Sequence, residues 1–434
     1  MAQLNRRQLL GSAALAAAAV PLTAGAARAA TPGAPDATNF PRRPVTTGAQ
    51  RQADAGWSAL SGERVGVISN PTGVLDDLTH IVDQMVASGG ADVVAVFGPE
   101  HGFRGTSQAG DSQDTYVDPR TGVTVYDAYG ATAEKFARFF REAEVDTVVF
   151  DIQDVGARFY TYIWTMYTAM VAAAQEGKRF VVLDRPNPIG GYARGPMLQP
   201  DYESGVGKKP IVQQHGMTVG ELARYFDGEL LAEDAGRRLT DLTVVKVSGW
   251  RRDVPAVGTD VPWVMPSPNM PTPDTALVYP GTCLFEATNL SEGRGTTRPF
   301  ELVAAPYVDY RWAEALRQKD IPGVEFREAY YTPTFSKHAG VACGGVQVHI
   351  TDPARVEAIL AATHMMVEAH RLYTDFDWRG DAGRWIGLLT GSSRFGDMLM
   401  AGASAEQIVD SWRDELAEWN VRREPYLLYA GPQR

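Results

Sequence analysis

The chain has 434 residues, a formal net charge of −11 and only two cysteines. Nucleic-acid binding needs clustered Lys and Arg, which this acidic chain lacks. Two cysteines cannot form a disulfide scaffold or a zinc site, although Cys283 and Cys343 permit one disulfide. The length exceeds one ordinary core and predicts two domains.

The first thirty residues have the features of an export signal. The pair Arg6-Arg7 precedes an apolar stretch at 9–20 that is too short to span a bilayer, and residues 27–29 read Ala-Arg-Ala, as a signal peptidase requires. We predict a twin-arginine signal peptide at 1–30 and a secreted or extracytoplasmic protein without stable membrane insertion. An uncleaved anchor is the alternative, and Pro21 fits cleavage better.

Residues 31–52 are rich in Pro, Ala, Thr and Gly, which predicts a flexible lead-in, with order beginning near Trp57. Short β-branched runs then alternate with helical patterns. The predicted elements are strands at 64–69, 91–97, 122–126, 145–152 and 179–183, and helices at 80–88, 132–143 and 161–176. Such repeated βα units with apolar strands predict an α/β fold with a Rossmann-like parallel sheet in a catalytic domain at 53–280.

This rhythm ends at residues 265–273, which are too rich in proline for a helix or a central strand. A predicted strand at 344–351 and predicted helices at 353–372 and 405–419 follow. We predict a smaller α+β auxiliary domain at 281–434 that contributes to the cleft.

Polar side chains follow three of the predicted strands at their carboxyl ends, where an open parallel sheet binds its ligands. They are Glu100, His101 and Arg104; Asp151, Asp154, Arg158 and Tyr160; and Asp184, Arg185 and Asn187. Glu100 is the strongest catalytic candidate, because its Gly/Pro-bounded loop beside His101 has no obvious structural role. Asp184 and Asn187 also fit helix capping, and Asp151 also fits an ion pair with Arg158 or Arg185.

His215 stands just before a helix that Thr218 and Glu221 are expected to cap. It therefore either lines the cleft or supports that cap.

The segment 280–301 concentrates carboxylates, amides and arginines, among them Asn289, Glu292, Arg294 and Arg298. Glycines near Glu292 permit close approach of a ligand, and two arginines four residues apart can grip a carboxylate. A surface loop with ordinary salt bridges is the other interpretation.

Motifs of several other chemistries are missing from the sequence, including G-x-S-x-G, S-x-x-K, H-E-x-x-H and the phosphate-binding and dinucleotide-binding glycine loops. Carboxylates remain as the catalytic groups, and we expect no cofactor and no metal. Glycoside hydrolysis uses a carboxylic acid to protonate the leaving oxygen and a second group at the anomeric carbon, which fits these strand ends.

Seven motifs occur in order: GPEHGFRG, FDIQDVGARFYTYIWTM, VLDRPNPIGG, QQHGMTVGELA, PSPNMPT, ALVYPGTCLFEATNLSEGRGTTRPFE and CGGVQVHITD. From about Val65 to the C-terminus the chain resembles the exo-β-N-acetylmuramidase family. The resemblance implies a Rossmann-like domain joined to a smaller domain, a cleft between them, and release of N-acetylmuramic acid from non-reducing ends of peptidoglycan fragments. The expected partners are peptidoglycan-derived saccharides or muropeptides.

The resemblance makes Glu100 the candidate catalytic acid. Glu292, Asp154 or the substrate's own 2-acetamido oxygen is the candidate group opposite it. We expect Arg158, Arg294 or Arg298 to read the lactyl carboxylate of muramic acid. The full set of candidate substrate-binding residues is His101, Arg104, Asp151, Arg158, Tyr160, Asp184, Arg185, Asn187, His215, Asn269, Asn289, Arg294 and Arg298.

Two departures from the family pattern, at Ala157 and around Lys337-His338, leave these chemical roles intact but bear on the outer subsites. Two other functions stay open on sequence grounds. One is an exported protein that binds cell-wall fragments in the same cleft without turnover. The other is a metal-dependent hydrolase with His101, Asp151 and Asp184 as ligands.

Overall fold

The computed structural model describes residues 42–431 except 109, 112, 381 and 382. The predicted signal peptide at 1–30 and the lead-in up to residue 41 lie outside the described residues. Within the described part of the chain, no helix is long and apolar enough to cross a membrane.

The bounds of the elements are as follows. The strands are β1 (Arg64–Ser69), β2 (Asp92–Gly98), β3 (Tyr116–Val117), β4 (Thr124–Asp127), β5 (Thr147–Asp151), β6 (Arg179–Leu183), β7 (Arg194–Met197), β8 (Val212–Gln214), β9 (Leu242–Val245), β10 (Leu302–Ala305), β11 (Val324–Tyr331) and β12 (Cys343–Ile350). The helices are α1 (Gly48–Asp54), α2 (Ile81–Ser88), α3 (Ala133–Glu142), α4 (Tyr162–Glu176), α5 (Val219–Tyr225), α6 (Leu231–Ala235), α7 (Pro273–Thr282), α8 (Arg311–Arg317), α9 (Ala358–Leu372), α10 (Arg384–Thr390), α11 (Arg394–Met400), α12 (Ala405–Asp410) and α13 (Arg413–Arg423).

The main sheet has seven strands in the order β3-β4-β2-β1-β5-β6-β9, all parallel except β3, which runs antiparallel to β4. Alternate residues of its strands enter two different cores: Val67 packs on the face that α2 covers, whereas Ile68 packs on the face that α3 and α4 cover. Because both faces are buried, the strands are apolar throughout. The predicted α/β class with a mostly parallel sheet is confirmed.

Strand β1 lies between β2 and β5, so the chain leaves β1 toward one side of the sheet and returns on the other. Ligands bind at such a switch point, outside the carboxyl ends of the strands. The loops that follow β2 and β5 meet here, and they carry Glu100 and residues 152–161.

A second, antiparallel sheet with the order β10-β12-β11 forms in the last third of the chain, and β7 pairs with β8 in a short ribbon. Helix α7 packs against α9 and crosses the predicted domain boundary at residue 280. A side chain at Gly281 would place its Cβ 1.9 Å from the carbonyl oxygen of Ala358, so glycine permits this close packing. The domain boundaries themselves stay a prediction.

The last helix of the chain returns to the first half of the molecule. In α13, the guanidinium of the fully buried Arg423 donates hydrogen bonds to the carbonyls of Gly191, His215 and Gly216, and the indole of Trp419 also donates to His215. The C-terminal helix therefore supports the loop that carries His215.

Some predicted elements differ from those observed. Order does not begin near Trp57: Thr47 caps α1 through the backbone N–H of Gln50, and Thr46 pairs with Ser248, so part of the expected lead-in is folded. The predicted helix at 353–372 begins only at Ala358, because Asp352 closes a turn instead: its carboxylate accepts the N–H of Ala354 and its carbonyl accepts the N–H of Arg355.

The predicted helix at 405–419 is two helices, α12 and α13. The hydroxyl of Ser411 donates to the carbonyl of Ile408, so it competes with the helical backbone at the break. The two cysteines, Cys283 and Cys343, are both buried and not joined by a disulfide.

Candidate active site

A cavity of about 350 Å³ lies at the switch point of the sheet. Its charged and polar lining includes Glu100, His101, Thr161, Asn269, Glu286 and Arg294. Its aromatic lining is Phe159, Tyr160, Tyr162, Tyr279, Phe300 and Trp385. Rings with polar edges around a few charged groups suit a ligand that has both apolar faces and hydroxyl groups, such as a sugar.

Glu100 is half-buried, and both of its carboxylate oxygens are held. Oε1 accepts the backbone N–H of Gly110 at 2.9 Å, and Oε2 accepts the hydroxyl of Thr161 at 2.8 Å. Thr161 is the N-cap residue of α4, yet its hydroxyl makes no capping bond with the helix. The first turn of α4 therefore positions the Glu100 carboxyl group.

His101 is buried beside Glu100 and has a left-handed backbone, with φ of 71°. Its Nδ1 lies 3.1 Å from the carbonyl oxygens of both Ser107 and Gln108. Because a carbonyl can only accept, Nδ1 must carry a proton, and Nε2 is the acceptor nitrogen of the neutral ring. The strained backbone at His101 orients this ring at the cavity wall.

A second carboxylate reaches the cavity from the other half of the chain. Glu286 accepts Nη2–H of Arg294 at 2.7 Å, and Nε of the same guanidinium lies 3.2 Å from Glu292, which in turn lies 2.9 Å from Nζ of Lys337. Burial raises the pKa of Glu286, and Arg294 opposes that rise. Of the two glutamates, Glu286 lines the cavity, whereas the Glu292 side chain is 3% exposed and lies behind Arg294.

Asp154 also lies off the cavity lining. Its Oδ2 accepts the backbone N–H of Gly156 at 2.7 Å and Nε2–H of His215 at 3.1 Å. The backbone N–H of Met217 donates to Nδ1 of His215, so Nε2 is the nitrogen that donates to Asp154. The buried Oδ1 of Asp154 has no hydrogen-bond partner in the described part of the chain. Asp154 and His215 thus form a buried pair next to the site.

The other acidic strand-end residues hold the scaffold. Asp151 binds Arg185 through two hydrogen bonds of 2.5 and 2.8 Å, which is one of the two ion pairs expected from the sequence. Asp184 accepts the Thr218 hydroxyl, the Gly220 N–H and the hydroxyl of Tyr429. Burial raises the pKa of Asp184 to about 7.

Asn187 likewise bridges two backbone groups, because its amide donates to Met217 and accepts from Ile189. Asn289 also bridges two backbone groups near the second sheet: its amide donates to the carbonyl of Asp375, and its oxygen accepts the N–H of Asp377 as well as the Tyr307 hydroxyl. Neither asparagine lines the cavity.

Of the three arginines expected to read a carboxylate, Arg294 alone lines the cavity. The guanidinium of the fully buried Arg158 donates to the carbonyls of Pro196, Ile211 and Leu389, and burial lowers its pKa. Arg298 is paired with Glu301 at 3.0 Å.

Arg104, predicted to bind substrate, is held by the carboxylates of Asp83 and Asp118 at 2.8 Å each. The cavity thus brings together Glu100, His101, Tyr160, Asn269 and Arg294 from the predicted set, and it adds Glu286 and the aromatic ring wall.

Two of the side chains proposed as metal ligands bind other groups of the protein instead. Both oxygens of Asp151 accept hydrogen bonds from Arg185, and Asp184 accepts several hydrogen bonds. Among the residues that the structure describes, no three His, Cys, Asp or Glu side chains form a group able to hold a metal ion.

Two carboxylates facing one sugar-sized cavity are the arrangement on which glycoside hydrolases rely. The chain belongs to the exo-β-N-acetylmuramidase NamZ family: the model of the family's N-terminal part matches residues 65–274 and the model of its C-terminal part matches 277–429. The resemblance inferred from the seven motifs is thereby confirmed.

The peptidoglycan β-N-acetylmuramidase NamZ of Bacillus subtilis (strain 168) is 45% identical over 373 residues, which cover 85% of this chain and 88% of that protein. Two DUF1343 family proteins of Bacteroides fragilis have similar crystal structures. One has a TM-score of 0.80 and 33% identity and covers 90% of this chain and 100% of its own. The other has a TM-score of 0.71 and 29% identity, with coverages of 89% and 99%.

Proposed function

We propose that this protein is an exported exo-β-N-acetylmuramidase that releases N-acetylmuramic acid from the non-reducing ends of peptidoglycan fragments. Family membership and the activity named for the Bacillus subtilis relative support the reaction. The observation that carries the site is the presence of Glu100 and Glu286, from opposite halves of the chain, in one cavity.

The size of the cavity favours removal of a terminal sugar. A volume of about 350 Å³ is near the lower end of the range of about 300 to 1,000 Å³ found for small-molecule sites. Such a space suits one sugar with its substituents rather than the middle of a glycan strand. The aromatic wall supplies the apolar surface against which the faces of a sugar ring pack.

In this proposal Glu100 protonates the glycosidic oxygen of the leaving sugar. A carboxylic acid at Glu100 still accepts the bonds from Gly110 and Thr161, and it retains one O–H to donate. The proton then leaves with the departing hydroxyl group, a water molecule adds to the anomeric carbon, and the proton that this water releases restores the carboxylic acid of Glu100.

Glu286 takes the position opposite Glu100 in our proposal, in place of Glu292 or Asp154, which do not line the cavity. Its carboxylate stabilises the positive charge that develops at the anomeric carbon, or orients the 2-acetamido oxygen that attacks it. Arg294 holds Glu286 through Nη2 and Glu292 through Nε, so Nη1 remains for the lactyl carboxylate of the substrate.

The test uses the purified mature protein and its Glu100→Gln variant with the disaccharide N-acetylmuramic acid-β-1,4-N-acetylglucosamine, following both free sugars. The wild type should release them, and the variant should bind the disaccharide without turnover. If neither protein releases sugar while both still bind the disaccharide, the protein is a binder of cell-wall fragments instead.

Export by the twin-arginine pathway is part of the proposal, supported by Arg6-Arg7 and the alanine-rich stretch that follows them. The full-length chain, expressed in a bacterium with this pathway, should appear outside the cytoplasm in a shortened form. Replacement of both arginines by lysine should keep it inside, and unchanged export of that variant would refute the assignment.

A further inference from the structure

A groove of about 650 Å³ is lined by two of the elements that also line the active-site cavity. Helix α4 lines the cavity with Thr161 and the groove with Thr168. The segment 203–209 lines the cavity with Val206 and the groove with Lys208. Helix α4 and the segment 203–209 therefore lead from the cavity to the groove.

One face of α4 connects the two spaces. Thr161, Thr165 and Thr168 follow each other at spacings of four and three residues, which places their side chains on the same side of the helix. The hydroxyl of Thr161 binds Glu100, and the hydroxyl of Thr168 accepts a hydrogen bond from Lys208. Seven residues of helix span roughly 10 Å, a separation on the scale of a short saccharide chain.

The opposite wall is a tight turn. The backbones of Ser204 and Gly207 exchange hydrogen bonds of 2.8 and 3.2 Å, and the Ser204 hydroxyl accepts the N–H of Val206. This turn fixes Val206 at the cavity and Lys208 at the groove, so the position of the lysine is set relative to the site.

Lys208 brings a positive charge that no carboxylate among the described residues neutralises. Its half-buried ammonium group donates to Thr168 at 2.8 Å, and no carboxylate of the described residues lies within ion-pair distance. Burial lowers the pKa of Lys208. The neighbouring Lys209 differs from Lys208, because Asp234 binds it at 2.9 Å. Glu203 also lines the groove and is exposed.

We infer that this groove binds the leaving portion of the glycan and that Lys208 pairs with a carboxylate on it. The inference rests on the proposed function, because the leaving sugar departs beside Glu100 and α4 leads from Thr161 at that carboxyl group to the groove. Two parts of the substrate supply such a group: the free lactyl carboxylate of the next muramic acid along the strand, and a carboxylate of an attached peptide.

The experiment compares the wild type with Lys208→Met on three substrates: the disaccharide N-acetylmuramic acid-N-acetylglucosamine, the tetrasaccharide of two such units, and the tetrasaccharide carrying its stem peptide. The variant should match the wild type on the disaccharide. On a longer substrate that Lys208 contacts, kcat/KM should fall about tenfold, as expected for one charge-assisted contact. A fall on the bare tetrasaccharide identifies the lactyl group, and a fall on the peptide-bearing substrate alone identifies the peptide.

Two controls isolate the charge. Lys135→Met removes a lysine that pairs with Asp127 outside the linings of the cavity and the groove, and it should leave all three activities unchanged. Lys208→Arg should keep most of the activity on the longer substrates. Methyl esterification confined to the carboxylates of the leaving portion keeps the lactyl group that Arg294 binds, and it should abolish the difference between Lys208→Met and the wild type.

Equal kcat/KM of Lys208→Met and the wild type on both longer substrates would overturn the inference while disaccharide cleavage still supports the proposed function. Failure of the wild type to cleave the disaccharide would instead overturn the proposed function.

Discussion

The Thr161 hydroxyl donates a 2.8 Å hydrogen bond to Oε2 of Glu100, although Thr161 occupies the N-cap position of α4. A threonine at this position normally caps its own helix. Here the hydroxyl at the start of α4 binds the carboxyl group of Glu100 instead. The loop after β5 is thereby joined to the loop after β2 at the candidate catalytic residue.

Thr161→Val should lower kcat on the disaccharide by about tenfold to a hundredfold and change KM little. The variant removes the hydroxyl that positions Glu100, and a neutral hydrogen bond contributes about 0.5 to 1.5 kcal/mol, with misplacement of the acid adding to that loss. Steady-state kinetics measure the effect. Thr161→Ser keeps the hydroxyl and should retain most of the activity; a serine variant as poor as the valine variant would assign Thr161 to packing instead.

Glu100→Gln and Glu286→Gln should differ in their response to the leaving group. An aryl β-glycoside of N-acetylmuramic acid with a good leaving group needs no protonation, so Glu100→Gln should cleave it far better than the disaccharide. Glu286→Gln should be impaired on both substrates, because the anomeric charge still develops. The reverse pattern would exchange the two roles.

Arg294→Gln should weaken the binding of N-acetylmuramic acid by about tenfold or more and that of N-acetylglucosamine much less. Only the first sugar carries a lactyl carboxylate, and a charge-assisted bond to it contributes about 1.5 to 3 kcal/mol. Titration calorimetry with both sugars measures the difference. Arg298→Gln, which lies outside the cavity lining, is the matched control. An equal loss for both sugars would contradict the assignment.

Tyr429→Phe should destabilise the protein more at pH 8 than at pH 5. The folded-state pKa of Asp184 is about 7, against an ordinary value of 3.8 for an aspartate, so its contribution to stability is fully present below 3.8 and is lost as pH rises through about 7. The Tyr429 hydroxyl donates to the ionised carboxylate, and its removal raises that pKa further.

Urea unfolding at the two pH values measures this difference, with an expected loss of about 1 to 2 kcal/mol at pH 8. The N–H of Val247 also loses its acceptor in Tyr429→Phe, which adds a cost that does not depend on pH. A loss that is equal at both pH values would show that Asp184 does not titrate in this range.

The sequence predicted the strands β1 and β6 at their observed bounds, because short apolar runs rich in valine and isoleucine, with polar or charged residues at both ends, favour a strand over a helix. The short strands β7, β8 and β9 were missed, since three or four residues carry too little periodic signal. The helix at 405–419 was predicted as one element, because the pattern does not reveal that Ser411 bonds back to Ile408.

The site was predicted in part for a similar reason. Glu100 follows a strand whose end could be located, so its place at the switch point could be deduced. Glu286 and Glu292 lie six residues apart in one irregular segment, and the choice between them depends on a single 3₁₀ turn at Cys283–Ala287. The arginines had the same difficulty, because a guanidinium bound to backbone carbonyls, as in Arg158, has no sequence signature.

The return of α13 to the first half of the chain has a consequence for how this protein can be divided. Arg423 and Trp419 donate hydrogen bonds to the carbonyl of His215, whose ring binds Asp154. Residues late in the sequence therefore hold a loop that lies near its middle. A premature stop codon before α13 would therefore expose those carbonyls and loosen the loop, even though Glu100, Glu286 and Arg294 would all still be translated. The N-terminal half expressed alone should likewise fail to fold into a working scaffold.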